Sequence, residues 1–471
     1  MRLQASVFSI GFWIGISAVS PGVAWSQTDT PDGVAVHDKT VVAEIGGADW
    51  PRFLGSNYDG SISRASPGID WMSPPEFDWA IEVGDGYGIG TVAEGRYFQF
   101  DANSDVGGAN ERLRCFDFES GEELWSRTNA FQYQDMLGYE DGPRSSPAVV
   151  EDRVLTLGVT GLLTCRRSED GQEIWSVDTS TKYGVVQNFF GVGASPMVLD
   201  ERVIVMVGGS PPEDQEIAPG RLDRVTDNGS AVVAFDLKSG RQLWKCGNDL
   251  ASYSSPRPIE INGKTFVLVF ARTGLMLIDP AIGKVKWQFK HRAEVVESVN
   301  AIVPVVSEDQ VFISECYGVG SVLLAVTEDA AKVIWQDPDR DRRNQAMRCH
   351  WATPVLVDGY LYGCSGRNAP DSDFRCVDWQ TGEVQWTDPR RTRSSVTRVG
   401  NHLVVIEERG TLQILKVDPE KMDVVAEWDL QFAKADRPVI EYPCWAAPVM
   451  VGTKLMVRGT DRVLCLDMAR R

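Results

Sequence analysis

Residues 115–125 read CFDFESGEELW and residues 376–386 read CVDWQTGEVQW. In each, a short apolar run leads to an Asp, a few polar residues, a Gly and, four positions on, a Trp: Asp117, Gly121 and Trp125 in the first, Asp378, Gly382 and Trp386 in the second. The same unit returns at Ala234-Phe235-Asp236 with Gly240 and Trp244, and at Ile278-Asp279 with Gly283 and Trp287. Two copies are degenerate: the one ending at Trp175 keeps Gly171 but has Arg167 for the Asp, and the one ending at Trp335 has Thr327 and Ala331 at the Asp and Gly places. A seventh, Asp418 to Trp428, is two residues longer.

These residue types predict a β-hairpin. Asp and a neighbouring Ser or Thr bond back to the turn backbone, and Gly supplies the positive φ of a tight connection. Trp opens the return strand as a large apolar slab that packs against the next unit, so the repeated indoles read as packing residues. A second pair of apolar runs precedes each hairpin, such as 147–150 with 153–158 or 354–357 with 360–363, giving four strands per copy. The Trp-to-Trp interval of about 42 to 51 residues is that of a propeller blade. One interval, Trp175 to Trp244, is longer, and a Pro-containing polar insertion at 210–228 accounts for it as a projecting loop.

The chain end supplies the closure. Arg462-Val463-Leu464-Cys465-Leu466-Asp467 begins an eighth hairpin that stops before its Gly and Trp, while Phe77-Asp78-Trp79-Ala80-Ile81 stands alone ahead of the first full copy. Pairing the two leaves no open sheet edge. The expected fold is therefore all-β, an eight-bladed propeller of four-stranded antiparallel blades in which an N-terminal strand completes the C-terminal blade. The expected organisation is a leader at 1–26, an extension at 27–75 packing on the propeller, and the propeller at 76–471.

Composition narrows the function. A formal net charge of −19 with no compensating basic run sets nucleic acid aside as a partner. Arg2, the apolar stretch from Val7 to Val19 and Ala24-Trp25-Ser26 read as a secretory signal peptide, so an exported protein, periplasmic or extracellular, with no membrane span after cleavage is expected. Of the nine cysteines, Cys115, Cys165, Cys376 and Cys465 share one repeat phase with Ala234 and Ala325 and read as small core residues. Cys246, Cys316, Cys349, Cys364 and Cys444 give no recognisable spacing, and no bridge is assigned.

The Asp…Gly-x-x-x-Trp hairpin resembles the PQQ-like repeat of the quinoprotein alcohol dehydrogenase superfamily and of the propeller lipoprotein of outer-membrane barrel assembly. A closer resemblance, to exported PQQ-like repeat proteins of planctomycete type, is carried by Asp49-Trp50-Pro51-Arg52-Phe53-Leu54-Gly55 with Asp59-Gly60, by Asp141 to Pro147, and by Ala251 to Pro256. The resemblance implies pyrroloquinoline quinone and calcium as cofactors of an enzymatic member. This chain departs from that pattern: it has no adjacent cysteine pair and no haem attachment motif.

Side chains just ahead of each blade's first strand converge on the ring axis, where a propeller binds ligands. Aligned on the Pro at that place, the candidates are Arg144, Asn188 with Phe190, Tyr253, Asn300, His350 with Trp351, and Trp445. Asp101, Asn103, Asp105, Gly107 and Glu111 approach a calcium loop with Gly and Glu each one position out of register, and the run from Asp337 to Asp341 lacks the Gly. No metal site is assigned: the four histidines have no ligand spacing, and no nucleophile elbow, P-loop or zincin motif occurs. The leading expectation is a non-catalytic binding or scaffold propeller for a periplasmic protein or small ligand; the alternative is a PQQ- and calcium-dependent dehydrogenase acting on an alcohol or sugar.

Overall fold

Middle strands buried on both faces and outer strands with alternating burial build the architecture. In the hairpin Arg96–Asp105 and Gly108–Asp117, Phe98, Phe100, Leu113 and Cys115 are buried, and they pack with Trp125 of the following strand Glu123–Ala130. The computed structural model describes residues 49–105, 108–432 and 439–470. The expected leader and residues 27–48 of the expected extension lie outside the described residues. Among these, eight four-stranded antiparallel blades form a ring, seven of them running from an inner to an outer strand in chain order. Their inner strands begin at Thr91, Ala148, Met197, Arg257, Val305, Val355, Ser394 and Val449. Helix is confined to Thr179–Tyr183 and a short 3-10 turn, Pro212–Asp214, among the described residues.

The last blade closes as expected. Its three C-terminal strands, Val449–Val451, Lys454–Arg458 and Arg462–Asp467, take Glu76–Glu82 as their outer strand, with Trp79 opposite Cys465 and Ala80 opposite Leu464. Buried Arg458 fastens the junction by donating to the carbonyls of Gly84, Gly86 and Gly88, in the segment leading into the first blade.

The repeat's residue choices are explained by contacts between blades. Trp79, Trp125, Trp175, Trp244, Trp287, Trp335 and Trp386 each donate the indole N–H to a turn carbonyl of the next blade, at Phe118, Ser168, Leu237, Pro280, Thr327, Trp379 and Asp418. The turn Gly sits on the face of that indole: a Cβ on Gly240 would lie 2.6 Å from Trp175 Cδ2, and one on Gly121 2.7 Å from Trp79 Cγ. Gly240 also has φ +69°, so the position demands Gly twice over. The Asp bonds its turn as expected: the backbone N–H and hydroxyl of Ser239 both donate to Asp236.

Two expectations need correction. The small residues opposite the Trp are Cys115, Cys165, Ala234, Cys376 and Cys465, but Leu323, not Ala325, faces Trp335. Without Asp and Gly, that hairpin closes on the tighter turn Thr327 to Ala330, which shifts the pairing by two residues and leaves Ala325 opposite Lys332. The insertion at 210–228 does not simply project: it tucks Leu222 and Val225 against Val186 and Leu250. All nine cysteines are free, and eight of them are buried.

The segment from Trp50 to Ile62 lies across the inner strands. Trp50 pairs with Val92, Pro51 accepts from the N–H of Val149, the Tyr58 hydroxyl donates to the carbonyl of Val198, and Ser61 and Ile62 pair in parallel with Arg398 and Val399. Leu54 and Tyr58 adopt φ +59° and +58°, so the segment coils tightly instead of running straight. One short piece of chain thereby ties together inner strands of blades from several parts of the ring.

Candidate functional site

Three residues before Pro147, Pro196, Pro256, Pro304, Pro354 and Pro448 stand Arg144, Gly193, Tyr253, Ala301, Trp351 and Trp445; three before Gly90 and Val396, which hold the same place, stand Tyr87 and Arg393. All eight line one cavity of about 210 Å³, one from each blade. Phe53 and Leu54 of the N-terminal segment also line it. The register is fixed by bonds between neighbouring blades at the intervening Ser and Thr positions: the N–H of Ser146 donates to Ser195 Oγ, that of Ser195 to Ser255 Oγ, and that of Val303 to Thr353 Oγ1.

The walls are aromatic. Trp445 has ring centroids 4.7 Å from Tyr87, 5.1 Å from Trp351 and 5.7 Å from Tyr139, and Phe190 lies 5.4 Å from Tyr253. Arg393 places its guanidinium 4.6 Å from the centroids of both Trp351 and Trp445, and its Nε donates to Glu408, as does the Trp445 indole N–H. Arg144 is likewise committed: it donates to Asp135 at 2.7 Å and to the carbonyls of Gly142 and Glu140. Both cations are therefore balanced by carboxylates that do not themselves line the cavity.

His350 is neutral. Burial, reinforced by the positive charges of Arg367 and Arg393, pulls its imidazole down to about 3. Its Nε2 is hydrogen-bonded to the Tyr317 hydroxyl at 3.1 Å, and its Nδ1 has no protein partner. The Tyr253 hydroxyl, pushed up by burial, accepts from the N–H of Phe190 and so fixes one wall.

Arg144, Phe190, Tyr253, His350, Trp351 and Trp445 thus come together at the channel mouth; Asn188 and Asn300 do not. Asn300 is fully buried, and its amide donates to the carbonyls of Ala271 and His291. It sits one position out of phase, and Ala301 takes the axial place. Asn188 lines a separate cavity beside the insertion. Sequence reasoning missed Tyr87 and Arg393 because their blades lack the Pro used for alignment, although counting back from the inner strand would have found them. Tyr139 lies on an irregular inter-blade loop with no repeat phase to betray it.

Among the described residues, neither acidic run gathers its carboxylates into an ion loop. Asp101 is buried in a β-hairpin and accepts from Arg112 and Arg114. Glu111 stands opposite Ala102, hence on the other face from Asp101, and accepts from the N–H of Val159. Gly107 lies outside the described residues. Asp337 accepts from the N–H groups of Ser321 and Ala346. No three His, Cys, Asp or Glu side chains are placed to share an ion among the described residues, and no helix there is long and apolar enough to cross a membrane.

A family model described as outer membrane protein assembly factor BamB matches residues 109–338. Among curated proteins, an uncharacterised protein of Rickettsia prowazekii is 21% identical over 299 residues, 62% of this chain and 64% of that one. BamB of Shewanella oneidensis is 25% identical over 179 residues, 36% of either chain, so each match spans less than two thirds of the relative's length. Among solved structures, a europium-containing methanol dehydrogenase superposes with TM-score 0.67 at 11% identity, covering 89% of this chain and 91% of that one. BamB from Moraxella catarrhalis gives 0.53 at 12%, covering 84% and 98%. At such identities the structural likeness speaks for the fold alone. The repeat, the closed ring of eight blades and these likenesses identify the chain as a β-propeller of PQQ-like repeats.

Proposed function

We propose that the protein is an exported, non-catalytic binding propeller whose channel mouth takes a small, planar, uncharged ligand. The observation that carries this reading is the lining: all eight blades contribute to it, with aromatic axial residues at Tyr87, Tyr253, Trp351 and Trp445 and each of its two guanidiniums already paired. A planar apolar group gains from burial against Trp351, Trp445, Tyr87 and Phe190. A charged one would leave water with no free countercharge to meet it.

The lining does not fit pyrroloquinoline quinone with calcium. That cofactor brings several carboxylates and a divalent cation, whereas no carboxylate lines the cavity and Arg144 and Arg393 are engaged elsewhere. A second reading, in which a partner protein presents the planar group as a side chain, is favoured by exposed apolar residues around the mouth: Tyr139 and Tyr442 both flank Trp445, and Met136 and Leu137 stand beside Tyr139 in sequence.

Menadione and pyrroloquinoline quinone, the latter with and without Ca²⁺, separate the readings, since both are planar quinones and only one carries carboxylates. Menadione should quench tryptophan fluorescence saturably, and Ala301→Trp, which fills the axial place, should abolish that. Saturable, Ca²⁺-dependent binding of pyrroloquinoline quinone with a shifted quinone absorbance would overturn the proposal in favour of a quinoprotein enzyme.

A further inference from the structure

From the channel mouth a ladder of rings and guanidiniums runs outward over the loops of four blades. Its rungs inside the mouth are Trp351 and Trp445, with Arg393 across both. On one side it continues from Trp351 to His350 at 4.5 Å and on to Tyr317 at 5.8 Å, where the guanidinium of Arg367 lies 5.1 Å from the ring centroid. On the other side Tyr442 follows Trp445 at 6.5 Å, and Arg409 lies 5.8 Å from that ring. Tyr317, Tyr442, Arg367 and Arg409 do not line the mouth cavity.

The two outer cations are uncommitted. Arg409 is exposed and Arg367 partly so, and among the described residues neither donates a hydrogen bond nor pairs with a carboxylate. A guanidinium stacked on a ring uses its face and keeps its in-plane N–H donors open. Carboxylates of the same loops are taken: Glu408 by Arg393, Glu407 by Arg391 and Asp371 by Arg348. Arg390, exposed on the loop ahead of Arg393, makes no pair among the described residues either. Against these three cations stands Glu441, exposed and next to Tyr442 in sequence. In a chain of net charge −19, this sector of the rim keeps surplus positive charge.

We propose that this rim docks an acidic peptide segment of a partner protein, with one planar side chain seated in the channel mouth and carboxylates of the same segment on Arg367 and Arg409. The inference rests on the reading in which a partner presents the planar group, and it adds that partner's charge. A ligand confined to a cavity of about 210 Å³ does not reach cations outside its lining. A chain leaving the cavity does: along steps of 4.5 to 6.5 Å, acidic residues within about four or five extended positions of the planar one reach both ends. Aromatic and Arg side chains are also the usual anchors of protein interfaces. Single-stranded nucleic acid, the other polyanion with planar groups, is opposed by the net charge of −19.

Calorimetric titration of the full chain with peptides of about ten residues tests this. The probes are a Ser- and Gly-based peptide with a central Phe and a pair of Asp on either side, a form with Asn in place of Asp, and a form with Ala in place of Phe. The acidic Phe peptide should bind about tenfold more tightly than either altered form, and salt should weaken it. Arg367→Gln combined with Arg409→Gln should bring it down to the affinity of the Asn form, a loss of about tenfold for two exposed ion pairs. Menadione quenching, which reports an intact mouth, should be unchanged in that variant, and Ala301→Trp should abolish both kinds of binding. Equal affinity for the acidic and Asn peptides, an undiminished preference in the double variant, tighter binding of an oligothymidylate of the same length, or no binding by any peptide would each overturn the proposal. Menadione separates the two failures: quenching without peptide binding removes the docking rim alone, whereas neither quenching nor peptide binding removes the channel-mouth reading as well.

Discussion

Replacing Gly240 by Ala puts a methyl group where the ring has no room for one. At φ +69° the left-handed backbone costs an L-residue about 1–2 kcal/mol. The new Cβ would also stand 2.6 Å from the Trp175 indole of the preceding blade, and forcing a methyl into such packing costs about 1–3 kcal/mol more. Gly263 supplies the control: its φ is +74°, but nothing lies within 4 Å of the Cβ place. Both substitutions stiffen the unfolded chain to the same degree, offsetting each by about 0.4–1 kcal/mol. In equilibrium urea denaturation, Gly240→Ala should therefore be less stable than Gly263→Ala by about 1–3 kcal/mol, and Trp175→Leu should recover part of the difference in a double-mutant cycle. Equal losses at the two glycines, or no coupling to Trp175, would refute the idea that the repeat's Gly is selected by the neighbouring blade's indole.

Three further outcomes follow from buried polar groups. Arg458→Met removes the donor shared by three carbonyls ahead of the first blade and should destabilise the protein by about 3 kcal/mol or more, measured by chemical denaturation. Burial pushes the Glu111 carboxyl up to about 7, the N–H of Val159 offsetting part of this. Because the folded state then holds a proton that the unfolded state has released, stability should fall by roughly 3 kcal/mol as pH rises from about 4.5 to 7. Glu111→Gln should flatten that slope in denaturation curves taken across the window; an unchanged slope would count against it. His350 stays neutral down to about 3, so menadione binding should be level between pH 5 and 8, and a transition near the ordinary imidazole value of about 6.5 would show a freely titrating ring.

The ring was legible because its signal repeats. Asp117, Gly121 and Trp125 return often enough that even the copy lacking Asp and Gly could be placed, and the lone Trp79 strand could be matched to the unfinished hairpin at Cys465. The exact pairing in the degenerate copy was not legible, because the turn from Thr327 to Ala330 sets the register and only Asp and Gly announce it locally. In the channel mouth, Arg144, Tyr253, Trp351 and Trp445 could be read from the Pro three residues on. Asn300 illustrates the limit: a shift of one position turns a side chain from the axis to the blade backbone, and spacing to a single Pro does not exclude that shift. Phe53 and Leu54 were beyond reach, since a coiled segment with positive φ at Leu54 and Tyr58 has no period to follow.

The account rests on an aromatic collar that works as one site because eight blades converge on it. Co-crystallisation with menadione tests this most directly. The ring of the ligand is predicted between Trp351, Trp445 and Tyr87, above Phe53 and Leu54; density on an outer face of the blades, or an empty channel mouth at saturating ligand, would contradict it.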